Sequence, residues 1–293
     1  MDPFSGEGEL LNITTAFYTH AYSTVIDFDT SSLSPSNQST AQNLKYRAQI
    51  ALGQSSSVVS ALKSSSSSSS RALVALAQFD VSAAAELASD ASSAEDPTVQ
   101  ICAGTVLASA GQYPEAVDLL SKHQGSLEAV ALLVQVHLSQ NRTDLAVKEV
   151  HAAKRWANDS LLINLAESWT NLREGGSEKY QSAFYVYEEL ASAPGNTSPT
   201  ALVGQAVAEI HLGRVEEAEA ALQQAMGMEG ADVQAIANSV VLASVMGKKN
   251  EVVQGLIEQL KEKDREHVLL KDLEEKSALF DTAAGKYSAK AAA

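Results

Sequence analysis

Along most of this chain the apolar positions recur at steps of three and four, the period of an amphipathic helix, and the runs are interrupted by short turn signals. The segment HLGRVEEAEAALQQAM, His211 to Met226, shows the unit best. One helix closes at Gly213, another restarts at once, and Ala218, Leu222 and Ala225 return on one face. Gly247 follows Gly213 after 34 residues, and Val252 and Leu256 stand at the same offsets from it as Ala218 and Leu222 do from Gly213. An internal repeat of helix–turn–helix units is therefore expected, each too small to bury its own apolar face and each stacked on its neighbours.

A small or β-branched residue early in each second helix fits the notch between paired helices. Val25, Val58, Ala84, Ala116, Ala146, Ala183, Ala218 and Val252 fill that role, at spacings of 33, 26, 32, 30, 37, 35 and 34. The period is that of tetratricopeptide repeats. The predicted fold class is all-α, an α-solenoid of tetratricopeptide-like helix–turn–helix repeats with a C-terminal capping helix. Residues 1–293 are read as a single α-solenoid domain, with about 8 helix pairs over 8–263 and the capping helix at about 265–285. The capping helix would use Val268, Leu269, Leu273 and Phe280 to cover the last apolar edge. The 37-residue step holds an insertion, REGGSEKYQ, in which Gly175 and Gly176 break the helix. The 26-residue step follows a run of serines, 64–70, which has no apolar period and is read as a Ser-rich loop.

Turn chemistry agrees with this frame. Gly53, Gly111, Gly213 and Gly247 stand where first helices end, and Asn141 takes that place once. Pro35, Pro97, Pro114, Pro194 and Pro199 fall at turns or first helical turns, where a missing N–H costs least. Apolar residues make up 45% of the chain, enough for a core, while aromatics are only 5%.

Charge narrows the partners. The net charge is −15, and no basic patch is interleaved with aromatics, which disfavours nucleic acid and direct attachment to anionic lipid. The N-terminal MDPFSGEGELL lacks the basic start of a signal peptide. No stretch approaches the roughly 18–20 apolar residues that a membrane span needs. A cytoplasmic protein is the expectation.

Catalytic and metal chemistry find no foothold. There is no phosphate-binding glycine loop, and Gly6 and Gly8 follow no strand. The histidines, His20, His123, His137, His151, His211 and His267, show no i,i+4 pairing, and with Cys102 alone a zinc site is not expected. No enzyme activity, metal or cofactor is predicted. Cys102 reads as a buried small residue. His137 and His211 lie on first helices, either as half-exposed polar residues or as ligand contacts.

In tetratricopeptide arrays the first helices line the concave surface. The candidate partner-binding set on that face is Leu10, Thr14, Phe17, Tyr18, Asn43, Arg47, Ile101, Thr105, Ala131, Gln135, Leu138, Val203, Val207, Ile210 and His211. It is mostly apolar or neutral. Only Asn43 and Arg47 resemble part of a carboxylate clamp, so capture of a peptide C-terminus is not expected. An apolar groove left bare invites aggregation, which predicts a lasting protein partner. Phe17 and Tyr18 are either packing residues or anchors for it.

Four segments resemble the epsilon subunit of the coatomer, the coat of COPI vesicles: TAFYTHAYSTVID (Thr15 to Asp27), LLVQVHLSQNRTDLAVKEV (Leu132 to Val150), WTNLREGGSEKYQSAFYVYEEL (Trp169 to Leu190) and GQAVAEIHLGRVEEAEAALQQAM (Gly204 to Met226). The third is the most specific, a Trp helix, a Gly-Gly break and an aromatic-rich helix. The resemblance implies a non-enzymatic scaffold that binds the C-terminal region of the coatomer alpha subunit and reaches other coatomer subunits indirectly. It also implies peripheral association with Golgi membranes and COPI vesicles through the coat, in Golgi-to-ER and intra-Golgi transport. A different tetratricopeptide adaptor or co-chaperone, binding a peptide in its concave groove, is the alternative.

Overall fold

The computed structural model describes residues 6–193, 198–228 and 233–287. Pro194 and the SAKAAA tail, 288–293, lie outside the described residues. Helices are the only regular element among the described residues. The contacts divide the chain into two compact units, Met1–Asn196 and Thr197–Ala293.

The first unit carries α1 (Gly6–Tyr18), α2 (Tyr22–Asp27), α3 (Pro35–Ala51), α4 (Ser55–Leu62), α5 (Ser68–Gln78), α6 (Val81–Ser89), α7 (Pro97–Ser109), α8 (Tyr113–Leu120), α9 (Leu127–Ser139), α10 (Thr143–Ala157), α11 (Leu161–Glu174) and α12 (Ser177–Ser192). Each odd-numbered helix packs on the next odd-numbered one, from α1 through α3, α5, α7 and α9 to α11, forming a continuous layer. Each even helix packs on the odd helix before it and, up to α10, on the one after. The sequence explains the division of labour. α7 reads PTVQICAGTVLAS, without a charge, and buries Val99, Ile101, Cys102, Ala103, Val106 and Leu107. A helix apolar all round belongs in the interior. α8, with a narrower stripe, buries only Ala116, Leu119 and Leu120.

The turns between paired helices share one geometry. One or two residues after the first helix, the backbone turns left-handed at His20, Gly53, Phe79, Gly111 and Asn141, and at Gly213 in the second unit. The next backbone N–H donates to the carbonyl five residues back: Ala21 to Ala16 at 2.8 Å, Gln54 to Gln49 at 2.9 Å, Asp80 to Ala75 at 2.9 Å, Gln112 to Leu107 at 2.9 Å, Arg142 to His137 at 2.8 Å and Arg214 to Glu209 at 2.9 Å. This is the Schellman closure of a helix C-terminus. The donor also begins the next helix, and four residues further on a small side chain sits in the notch. Val25, Val58, Ala84, Ala116, Ala146 and Ala218 are all 0% exposed. At the glycine pair the turn is no longer than the others, but α12 carries three extra residues before its notch residue: Ala183, also 0% exposed, lies seven residues after the Gly176 cap instead of four.

Short helices account for the 26-residue step, since α4 has 8 residues, α5 has 11 and α6 has 9. The serine run is not all loop. Ser67 caps α5, its side chain accepting the Ser70 N–H, and Ser68 to Ser70 form the first helical turn. Serine is favoured at that end of a helix, because its hydroxyl satisfies backbone groups that the helix leaves open. Ser68 and Ser69 also donate to Asp96, the N-cap of α7, at 2.8 and 2.5 Å.

The second unit holds α13 (Thr200–Leu212), α14 (Val215–Gly227), α15 (Val233–Val245), α16 (Asn250–Lys263) and α17 (Val268–Ala284). Two expectations fail here. Val252 is 49% exposed instead of filling a notch. The cap of α16 is Lys249, two residues after Gly247, whereas α14 is capped by Arg214, one after Gly213. One extra turn residue rotates the following face by about 100°, and Val253 becomes the half-buried residue. The last helix covers little. Leu270 is 4% exposed and Leu269 packs beside it on Ile236 and Leu260. Val268, Leu273 and Phe280 stand 77%, 42% and 71% exposed. Only the first turn, capped by His267 accepting the Leu269 N–H at 3.2 Å, engages the core.

Candidate functional site

The odd-numbered layer of the first unit encloses an open cavity of about 330 Å³. It brings together seven of the predicted groove residues, Phe17, Tyr18, Arg47, Ile101, Thr105, Ala131 and Gln135. The rest of the wall is His20, Tyr22, Glu128, Leu132, Leu162, Leu165 and Trp169.

One rim is built by the turn between α1 and α2. His20 takes a left-handed φ of 63°, which a side chain other than glycine adopts at some cost. Its ring stacks on Tyr22 with centroids 5.4 Å apart. Phe17 meets Tyr18 and Tyr22 edge-on at 5.9 and 5.6 Å. The tight turn thus holds four rings in one cluster at the cavity edge. Tyr18 reaches furthest, packing on the core formed by Ala131, Val134, Leu162 and Ala166 of α9 and α11. Burial, with the Glu128 carboxylate close by, pushes the Tyr18 hydroxyl well above its ordinary range, so it stays protonated.

The charged groups at the floor are satisfied within the fold. Arg47 on α3 is ion-paired with Glu128 on α9, and its guanidinium also lies 4.6 Å from the centre of the Phe17 ring. Burial works against the Arg47 charge, but the Glu128 carboxylate outweighs it and holds the guanidinium ionised. Cys102 is buried beneath, its thiol pushed up to about 12 by burial. It is an inert packing residue, as its surroundings in sequence suggested. The remaining polar lining is sparse: Thr105 donates back to the Ile101 carbonyl at 2.7 Å, and Gln135 is exposed.

Other predicted groove residues lie elsewhere. Leu10 packs in the α1–α3 core, and Thr14 donates to its carbonyl at 2.8 Å. Asn43 donates to Thr98 at 3.2 Å, tying α3 to α7. Leu138 lines a neighbouring cleft with Asn141, Trp169, Leu172 and Arg173. Val203, Val207, Ile210 and His211 belong to α13 in the second unit, where Val203 is buried, Val207 and Ile210 are half-buried and His211 is exposed. His137 does not face the cavity; it is 6% exposed in the core.

The contribution of α11 was missed in the sequence. Leu162, Leu165 and Trp169 fall at i, i+3 and i+7, a one-face signal present in the chain. Trp169 is hydrogen-bonded to Tyr187 of α12, whose own hydroxyl is raised to about 12 by burial. That contact seats the indole at the cavity end, shortly before the Gly175–Gly176 break.

A family model described as coatomer epsilon subunit matches residues 6–288. The chain belongs to this family. The probable coatomer subunit epsilon of Schizosaccharomyces pombe is 32% identical over 248 residues, covering 83% of this chain and 84% of its own. Coatomer subunit epsilon-1 of Arabidopsis thaliana is 30% identical over 284 residues, covering 92% and 94%. Members of the coatomer epsilon family are components of the COPI vesicle coat. Among solved structures, a chain from the APC/C hetero-tetramer Cut9–Hcn1 superposes with a TM-score of 0.60 at 11% identity, covering 92% of this chain and 54% of the other. At that identity the likeness is one of fold, and it is an α-solenoid of tetratricopeptide type. No described helix is long and apolar enough to cross a membrane.

Proposed function

We propose that the chain is a non-enzymatic structural subunit of the COPI coatomer, and that the first-unit cavity binds and stabilises the C-terminal region of the coatomer alpha subunit. Other members of the coat are then reached through alpha. The chain meets Golgi membranes and COPI vesicles only through the coat, and serves Golgi-to-ER and intra-Golgi transport from the cytoplasmic side.

One observation carries this reading. The cavity offers aromatic and aliphatic walls, while its charged pair, Arg47 and Glu128, is neutralised internally. A partner is therefore held by apolar side chains that enter the cavity, with few polar contacts to direct it. Such a surface suits a lasting interface, since apolar burial supplies affinity without a ligand charge. Adaptor-type capture of a peptide carboxylate is disfavoured, because Asn43 is bonded to Thr98 and Arg47 to Glu128.

The test is co-expression with the C-terminal region of alpha. A stoichiometric complex that survives gel filtration supports the reading. Two separately eluting proteins at micromolar concentration would refute it.

A further inference from the structure

The first-unit cavity does not end at Trp169. The same indole lines a second cleft, whose other walls are Leu138, Ser139, Asn141, Leu172 and Arg173. The two openings follow matched faces of α9 and α11, which pack on each other. Ala131, Gln135 and Leu138 fall at i, i+4 and i+7, and Leu165, Trp169 and Leu172 repeat them 34 residues later. One groove therefore runs along both helices, and the step from Ala131 to Leu138 covers about 10 Å of helix axis.

Polarity changes along this groove. The cavity settles its own charges in the Arg47–Glu128 pair. Among the described residues, Arg173 is the only charged wall of the second cleft, and it is exposed. Its guanidinium donates to Oδ1 of Asn141, a neutral partner. The carboxylates close by in sequence are taken: Glu174 pairs with Lys179 at 2.6 Å, and Asp144 with Arg142 at 2.8 Å. Asn141 holds the left-handed turn position, φ 59°, that Gly111 and Gly213 fill in other turns. Asparagine tolerates that conformation and, unlike glycine, brings a side-chain oxygen. The turn that closes α9 thus also holds the Arg173 fork. A guanidinium has five N–H donors, so one bond to Asn141 leaves most of them to spend.

We infer that the second cleft receives a side-chain carboxylate of the partner, with Arg173 as its contact and Asn141 as the residue that positions Arg173. The inference rests on the cavity being the docking site proposed above. It gives the partner segment a definite chemistry: apolar side chains for the cavity, then an Asp or Glu about 10 Å further along the groove. Leu138, Leu172 and the Trp169 indole flank the guanidinium, and shielding from water strengthens a charge-assisted hydrogen bond. Trp and Arg are also the side chains that most often carry the energy of an interface. Nucleic acid and anionic lipid bear anions too, but the chain's net charge of −15 opposes them, and neither supplies apolar side chains for the cavity.

Calorimetric titration of the full-length chain with the C-terminal region of alpha tests this, comparing wild type, Arg173→Met and Asn141→Gly. Both residues are exposed and glycine suits the Asn141 turn, so the melting temperatures should match. Arg173→Met should bind about tenfold or more weakly at low salt, and its affinity should fall less than that of the wild type as salt rises. Asn141→Gly should lie between the two. Asp→Asn and Glu→Gln changes made one at a time in the alpha region should include one that reproduces the Arg173→Met loss and adds nothing to it in combination. Unchanged binding by Arg173→Met, an equal salt dependence, or no such carboxylate in alpha overturns the inference and leaves the cavity reading standing. Asn141→Gly binding as tightly as the wild type overturns its positioning role. A wild-type chain that does not bind alpha refutes the cavity reading, and this inference with it.

Discussion

Arg47 and Glu128, 81 residues apart in sequence, form an ion pair that joins α3 to α9 at the cavity floor. Their side chains are 15% and 23% exposed, so the pair is shielded on both sides. Removing one partner strands the other charge in a largely apolar setting. Arg47→Leu should cost about 2 kcal/mol of stability, and Arg47→Leu/Glu128→Leu less than the sum of the two single changes. Urea unfolding of the four proteins measures this. Additive losses would mean that the pair contributes nothing.

The shared turn geometry makes a second prediction. Ala218 lies in the notch at 0% exposure, so Ala218→Trp overpacks α13 against α14 and should destabilise by about 1–3 kcal/mol. Val252, at the same offset from its glycine, is 49% exposed, and Val252→Lys should change stability by less than about 0.5 kcal/mol. Thermal melts distinguish the two. A large loss at Val252 would contradict the rotated register of α16.

The left-handed turns can be tested by themselves. Gly213 has a φ of 77°, and a Cβ there would meet nothing within 4 Å. Gly213→Ala therefore isolates backbone strain, and a loss of about 1 kcal/mol is expected from the melting curve. An unchanged melting temperature would show that the turn relaxes freely.

His137 supplies the pH dependence. Burial is the main cause that pulls its imidazole below the ordinary value of 6.5; Arg142 acts the same way, while Glu149, Asp144 and a hydrogen bond donated to Gln140 oppose. The unfolded chain takes up its proton as pH falls through 6.5, and the folded state does so only at lower pH. Stability is thus full above that value and falls as pH drops below it. Because Nδ1 is buried without a hydrogen-bond partner, His137→Leu should fold well and flatten this part of the pH profile. A variant with the same slope as the wild type would place the titration elsewhere.

The repeat frame was legible because its signals are local. A glycine or asparagine closes a helix and a small residue follows five positions later, and both leave marks in sequence. His20 and Phe79 were missed as left-handed turns, since neither residue type announces that conformation. The single extra residue before α16 was missed for a related reason: a one-residue shift leaves the 34-residue echo intact but turns the face. The cavity was only partly legible. Helix period shows which residues share a face, but the contact of Tyr18 with α9 and α11 depends on how successive helices stack. The same limit explains Asn43 and Arg47, whose partners Thr98 and Glu128 lie 55 and 81 residues away.

Whether the first-unit cavity receives alpha is decided by calorimetric titration of the full-length chain with the C-terminal region of alpha, comparing wild type with Gln135→Trp. Gln135 is exposed at the cavity wall, so an indole there obstructs the opening without disturbing the core. A one-to-one complex is expected for the wild type, with about tenfold or greater weakening in the variant, ~1.4 kcal/mol. Undiminished binding by Gln135→Trp, or no binding by the wild type, would rule out the cavity as the docking site.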